Sequence, residues 1–395
     1  MILNDLRKAL RQNIRDYTMY FLLFLIMAVF TAMTRGLFMS SRNIANLMNQ
    51  TGYIAVLAVG MTLVIVIRHI DLSVGYLAGF IGAATAIAMT RWGMPGWATI
   101  PFALVLGAVA GVITGFLVAR LGIPAFVATL AGWLIYRGLL LMVTMKTGTI
   151  VIPDAFFNAI GNGYIPDILP SDSAFLPGLH KLTLLIGLAA IVLFSASQVR
   201  ARRSREGYGF EVLPLPVFAI KLAFMAFVIG YITWIFAGYN GMSWTAVIVI
   251  VVVVVFHFVT TKTVLGRHIY AVGGNPEAAE LSGISVKKIT FIVFAAMGSL
   301  AGLAGVLYAS RLQSATTKAG EMFEMDAITA AYIGGVSAAG GVGRIAGSLV
   351  GAIVYMSLTS GMNLLSVDIS LQYIVRGAVL AAAVIFDVQT RKRRG

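Results

Sequence analysis

The chain has 395 residues, 59% of them hydrophobic and only 11% charged, whereas globular chains carry about 25% charged residues, so a soluble fold could not cover its surface with polar groups. It contains no cysteine, which excludes disulfides, thiolate catalysis and cysteine-based zinc sites; the four histidines, His69, His180, His257 and His268, show no metal-ligand spacing. The net charge of +14 is not a nucleic-acid signature, because Lys and Arg gather between apolar runs and at the termini: Arg7, Lys8, Arg11 and Arg15; Arg200, Arg202, Arg203 and Arg205; Lys262, Arg267, Lys287 and Lys288; Arg391, Lys392, Arg393 and Arg394.

About 20 apolar residues in a helix cross a bilayer core of about 30 Å, and only helices or closed barrels satisfy the backbone there. The alternation of barrel strands is missing. The apolar runs predict spans over 17–34, 52–67, 72–90, 98–119, 124–144, 182–198, 214–237, 243–260, 289–309, 326–340, 345–361 and 371–388. Several are short or broken by glycine. The expected fold is therefore an all-α polytopic membrane protein of ten to twelve transmembrane helices, one membrane domain over 1–395. Basic residues before the first run resemble a signal peptide, but no small-residue cleavage site follows Tyr17–Met33, and a retained first helix is expected. A cytoplasmic N-terminus puts all four basic clusters inside. Both termini, the basic loop 198–213 and the loop 260–288 are then cytoplasmic, and the loop 145–181 is periplasmic. That outer loop holds Pro153, Pro166, Pro170 and Pro177 with Asp154, Asp167 and Asp172, and only Lys146 and Lys181 as cations.

Small residues recur at four-residue spacing, as Gly107, Gly111 and Gly115, as Gly298 and Gly302, and as Gly343, Gly347 and Gly351. Such ladders let helix backbones approach closely. Trp92, Trp97, Trp234 and Trp244 fall at expected outer boundaries, like an aromatic belt. Arg137 and Arg376 sit near span ends, from which their side chains reach headgroups.

Between the eighth and ninth runs lies a polar segment, 260–288, punctuated as a helix. Asn275 is a fair N-cap, Pro276 suits the first helical position, Glu277 puts an acid in the first turn, and Gly283 stops the helix. A helix of about seven residues on the inner membrane face is expected there. A connector would not need that punctuation; a docking element for a cytoplasmic partner would.

Glu277-Ala278-Ala279 with Gly283 following resembles the coupling loop of ABC importer permeases. The string from Gly266-Arg267 to Gly283 is similar to the branched monosaccharide permeases, which serve ribose, xylose, galactose and related sugars. Two more stretches carry that likeness: Ala58-Val59-Gly60-Met61 continuing to Ile70-Asp71-Leu72-Ser73-Val74-Gly75, and Asp326-Ala327-Ile328 through Gly334 to Gly343. The resemblance covers about residues 40–145 and 260–388. The length and the added span pair (about 182–240) look most like the D-xylose transport permeases, an insertion that galactose or arabinose permeases can share. Arg68-His69 departs from the family, which usually has a small or acidic residue before Ile-Asp-Leu-Ser-Val-Gly. The resemblance implies a type II importer permease that moves a monosaccharide across the bacterial inner membrane by alternating access. D-xylose comes first, with galactose, arabinose or ribose as alternatives. It also implies a permease homodimer, a cytoplasmic ABC ATPase and a periplasmic sugar-binding protein as partners, with membrane lipid around the chain.

Candidate residues follow. Asn275, Pro276, Glu277, Ala278, Ala279 and Gly283 are candidates for ATPase coupling. Asp71, Ser73, Asp326 and Ser337 are candidates for the substrate pathway, since an ionisable group at membrane depth is costly and therefore functional by default. The competing reading makes Asp71 or Ser73 a cap of the third helix, with Arg68 as partner of Asp71, and Asp326 the N-cap of the tenth. The glycine-rich run 334–343 weakens any helix there, and broken or half helices build polar sites in transporters. No Gly-Lys-Ser or Gly-Lys-Thr occurs, so ATP hydrolysis has to come from a separate subunit. No catalytic residue, metal or cofactor is expected. An ion-coupled secondary transporter would bury paired acids, and the spans offer few, chiefly Asp71, Asp326 and Asp387.

Overall fold

The computed structural model describes residues 14–145, 148–168, 176–210 and 212–392, with side chains from Met19 to Gln389. Arg7, Lys8, Arg11, Lys146, Pro170, Asp172, Arg393 and Arg394 lie outside the described residues, as do the side chains of Arg15, Arg391 and Lys392. In chain order the helices are α1 (Ile14–Met33), α2 (Ser41–Val66), α3 (Val74–Trp92), α4 (Gly96–Ala119), α5 (Ala125–Thr144), α6 (Ala155–Asn162), α7 (Lys181–Gly207), α8 (Leu215–Ala237), α9 (Trp244–Lys262), α10 (Val264–Gly274), α11 (Pro276–Leu281), α12 (Val286–Leu312), α13 (Phe323–Ile333), α14 (Ile345–Leu364) and α15 (Ile369–Lys392). Two short strands, β1 (Ile150–Val151) and β2 (Ser314–Ala315), pair antiparallel.

Ten of the described helices are long and apolar enough to cross a membrane: α2 to α5, α7 to α9, α12, α14 and α15. The span expected over 326–340 is instead the eleven-residue α13 followed by a turn-rich segment, because Gly334, Gly335, Gly340 and Gly341 leave the helix. α2 begins at Ser41, eleven residues before the expected start. Its polar first turns face protein rather than water: Asn43 donates to the Phe38 carbonyl at 2.8 Å and Asn46 accepts from Arg311 at 3.2 Å. The basic segment 198–213 is helical as far as Gly207. The run 251–255 is helical, with Val251, Val254 and Val255 exposed and Val252 buried.

α2 lies at the centre, with Ile54 to Val66 entirely buried. α9, α12, α13 and α14 pack around it, while α7, α8 and α15 leave most of their surface exposed. The first two glycine ladders meet each other. A methyl added to Gly107 would land on the Gly298 carbonyl, one on Gly111 on the Phe294 carbonyl, and one on Gly302 on the Ala103 carbonyl. α4 and α12 therefore touch backbone to backbone. The third ladder meets α13, with Gly347 against Gly334 and Gly351 against the Ala330 carbonyl.

One end of the bundle is formed by residues 148–168 and 176–180. There β1 pairs with β2, Asp154 caps α6 by accepting from Phe157 N–H at 2.7 Å, and it also accepts from Gly96 N–H at 3.2 Å. Arg311 donates to Asn162 at 2.7 Å. Ile165 N–H reaches the Met242 carbonyl at 2.9 Å and His180 N–H the Ala237 carbonyl at 2.9 Å. Trp92, Trp97, Trp234 and Trp244 are exposed around this end. The opposite end gathers the close of α2, the helices α10 and α11, and the turn after α13; the basic ends of α7 and α9 point the same way. At the first end, Asp167 sits before α7. Burial would raise its carboxyl, but N–H groups of Leu182, Lys181 and Ile168 at 2.8, 2.9 and 2.8 Å, and His180 at 3.7 Å, outweigh that and hold it below the ordinary carboxylate value.

Two predictions arise here. Gly298→Val should lower the thermal unfolding midpoint in detergent, since overpacking costs about 1–3 kcal/mol, while Gly138→Val, whose added carbon meets open space, should leave it unchanged; heating followed by size-exclusion detection reads both. A carboxylate with a depressed folded pKa stabilises above its unfolded value of about 3.9 and loses that contribution as pH falls through the folded value. Protection of the amides at the start of α7, taken as exchange relative to the intrinsic rate at each pH, should therefore fall below about pH 4, and Asp167→Asn should show the lowered protection already at neutral pH.

Candidate functional site

Two interruptions of the helical bundle meet where α3, α5 and α13 pack together. The first is the turn 67–73 between α2 and α3. α2 ends with Arg68 in the left-handed region (φ 66°), its N–H on the Ile65 carbonyl at 2.9 Å and the His69 N–H on the Val64 carbonyl at 3.0 Å. The Asp71 carboxylate then accepts from Ser73 N–H at 2.9 Å and from the Ser73 hydroxyl at 2.6 Å, closing a local turn at the start of α3. Both residues are buried. Ser73 rests against Gly132 of α5. At 1.5 Å per residue, Gly132 lies about 10 Å inside α5, so the Asp71–Ser73 end of the turn sits within the bundle, while Arg68 and Ile70 are exposed.

The second interruption runs from 313 to 344. After β2 the chain turns back inward, with Ala319 against Gly79 and Gly320 against Gly75. It then forms α13, whose first turns carry Glu324 and Asp326. Trp133 Nε1 donates to Glu324 Oε1 at 3.1 Å, and Glu324 Oε2 is buried with no hydrogen-bond donor. The Tyr355 hydroxyl donates to Asp326 Oδ1, and the Arg376 guanidinium lies 5.9 Å over the Tyr355 ring. Tyr53, Tyr308 and Phe323 form a triangle of rings with centroids 4.7–5.1 Å apart. Arg137 lies over Trp133 at 5.4 Å and over Tyr76 at 5.5 Å.

Asp71, Ser73 and Glu324 thus converge where α3, α5 and α13 meet, around Gly75 and the neighbouring pair Gly132–Trp133. Asp326 points toward α14 and α15. It is not the N-cap expected of it: α13 starts three residues earlier, Met322 occupies the cap position, and the carboxylate turns to Tyr355. Arg376 stacks on protein at that site rather than reaching past a span end. Ser337 lies apart, at the far side of the interruption. Its hydroxyl donates to Asp387 Oδ2 at 3.1 Å, joined by the Ala338 N–H at 3.0 Å. Sequence reasoning missed Glu324, Trp133, Tyr53 and Tyr355. A signal existed for Glu324, since it shares an apolar stretch with Asp326.

The polar segment 260–288 holds two helices where one was expected. Thr263 caps α10 by accepting from Gly266 N–H at 3.2 Å. Its apolar residues Leu265, Ile269 and Val272 recur at helical spacing, and Ile269 and Val272 are buried. Asn275 Oδ1 accepts from Ala278 N–H at 3.0 Å, Pro276 opens α11, and Gly283 (φ 82°) ends it, with Ile284 N–H returning to the Ala279 carbonyl at 3.0 Å. Ala279 is buried against the bundle, while Glu277, Ala278 and Glu280 are exposed and Leu281 is 92% exposed. Among the described residues no group of His, Cys, Asp or Glu is placed to hold a metal ion.

Spanning helices wrapped around two interrupted, acid-bearing segments define a multi-pass membrane transport protein. The chain belongs to the family described as branched-chain amino acid transport system / permease component, which it matches over residues 43–384. It is 38% identical over 382 residues to the xylose transport system permease protein XylH of Haemophilus influenzae, covering 96% of this chain and 98% of that protein. The same name attaches to an Escherichia coli K12 relative, also 38% identical over 382 residues, covering 96% and 93%. The ribose import permease protein RbsC of Escherichia coli K12 is 33% identical over 350 residues, covering 89% and 87%. No solved structure matches the chain.

Trp133→Phe and Tyr355→Phe each remove the side-chain donor from a buried carboxylate. Each should destabilise the protein by about 1–3 kcal/mol, read as a lower midpoint in the same detergent unfolding assay, with the double variant close to the sum if the two carboxylates act independently.

Proposed function

We propose that the chain is the membrane-spanning permease subunit of an ATP-driven monosaccharide importer in the bacterial inner membrane, with D-xylose as its substrate. One observation carries this: near-complete coverage by the xylose transport permeases, at higher identity than the ribose import permeases. The family description speaks of branched-chain amino acids, but relatives matched along almost the whole chain carry sugar names.

The partners in this reading are a cytoplasmic ABC ATPase, a periplasmic sugar-binding protein and a second copy of the permease. The end bearing α10, α11 and the basic helix ends faces the cytoplasm with both termini, in agreement with the positive-inside rule. Residues 148–168 and 176–180 face the periplasm, where the binding protein delivers the sugar. α11 is the ATPase-docking element. Its buried Ala279 holds it to the bundle while Glu277, Ala278, Glu280 and Leu281 offer an exposed surface. Asp71, Ser73 and Asp326 line the sugar path with their aromatic neighbours, and Ser337 belongs to the segment that moves beside it. Carboxylates and ring faces suit a polyhydroxylated ring, whose hydroxyls donate to the first and whose apolar face stacks on the second. ATP binding to the partner moves α11, and the two states of the path differ in the contacts made there.

Gly283→Val, which forces a branched side chain into a left-handed position, and Glu277→Trp should each abolish co-purification of the ATPase while membrane insertion stays intact; normal co-purification with both would count against the docking role. Proteoliposomes holding the whole complex should take up labelled D-xylose, with unlabelled D-xylose competing better than D-ribose. The reverse order would make this a ribose importer.

A further inference from the structure

Arg68 holds the left-handed backbone position that ends α2. Non-glycine residues are uncommon in that region, and glycine fills it without steric cost. What the arginine adds is its side chain. Nε donates to the Gly273 carbonyl at 2.7 Å, and the terminal nitrogen donates to the Gly274 carbonyl. These are the last two residues of α10, the end at which helix carbonyls lack intrahelical partners and at which a cation is favoured. The fork of a guanidinium suits two adjacent acceptors as an ammonium does not.

The same side chain meets a third element. A methyl added to Gly340 would strike its stem, Gly341 N–H donates to the Val66 carbonyl at 2.8 Å, and the Tyr270 hydroxyl of α10 donates to the Gly343 carbonyl at 2.6 Å. Three residues beyond Arg68 stands Asp71, whose carboxylate fixes the start of α3 through Ser73. One side chain therefore joins the end of α10, the turn 67–73 and the turn after α13. α11 begins two residues past the carbonyls that it grips.

We propose that Arg68 is the positioning residue that transmits displacement of α10 and α11 to both interruptions of the bundle, so that movement at the ATPase-docking helix shifts Asp71–Ser73 and the segment carrying Ser337 together. This rests on the reading of α11 as the docking helix. Arg68 touches neither ATP nor sugar; it sets how much sugar moves for each ATP spent.

The test uses the whole complex of permease, ATPase and binding protein in proteoliposomes, and compares Arg68→Gly, Arg68→Lys and wild type. Arg68→Gly relieves the left-handed backbone as it deletes the grip, so the two effects offset and its unfolding midpoint should stay near that of wild type, with ATPase co-purification unchanged. Its sugar uptake per ATP hydrolysed should fall about tenfold, the scale of a lost charged hydrogen bond. Arg68→Lys should lie between, because it keeps the charge and loses the fork. A wild-type ratio in Arg68→Gly would overturn the proposal, as would loss of the ATPase or of the fold with an unchanged ratio in the complexes that remain, since Arg68 would then be a docking or purely structural residue. Failure of the wild-type permease to retain the ATPase at all would instead overturn the docking reading on which the proposal stands.

Discussion

A helix that stops inside an apolar bundle frees backbone groups that neither water nor lipid can satisfy, and this chain stops helices there twice. Everything around the two breaks is arranged to answer that demand. The Ser73 N–H and hydroxyl turn to Asp71, the close of α2 is met by Gly341, and Ala338 N–H turns to Asp387. The carboxylates are in turn supplied with donors from Ser73, Trp133, Tyr355 and Ser337. Among the described residues, Glu324 Oε2 and the Nε of Arg376 are exceptions, each buried with no hydrogen-bond partner. Local satisfaction of a broken helix thus creates acid-bearing positions at depth, and a transport site can use what the architecture already requires.

Much of this was legible beforehand, and the physical reasons differ by element. Spanning helices follow from hydropathy alone, since lipid-facing residues such as Val251, Val254 and Val255 answer to no partner. The α11 punctuation was legible because a cap, a first-position proline and a terminating glycine act within one turn; Asn275, Pro276 and Gly283 take those parts. α10 escaped because its apolar face is only three residues long, Leu265, Ile269 and Val272, and it adjoins polar neighbours. The early start of α2 escaped because hydropathy cannot tell a polar residue facing water from one facing protein, which is where Asn43 and Asn46 point.

The candidate site was legible in part. Asp71 and Asp326 stand out as acids within apolar sequence, yet their partners lie far along the chain. Nothing in local sequence ties Tyr355 to Asp326 or Trp133 to Glu324; those pairings exist only once α5, α13 and α14 are packed. The meaning of the glycine ladders was also relational. Each alone signals close packing, but that the first two face each other across α4 and α12, while the third faces the half-length α13, emerges from the folded bundle.

The α4–α12 crossing has a mechanical corollary. Carbonyls seated where side chains would normally stand leave no compliant layer between two helices, so the pair cannot slide or roll without steric collision. It behaves as a stator. The α7 and α8 helices pack chiefly on each other and leave most of their surface to the surrounding lipid. Any stroke the protein makes is therefore channelled to the parts held by hinges and single side chains: the turn after α2, the half-length α13 and the paired short helices beneath them.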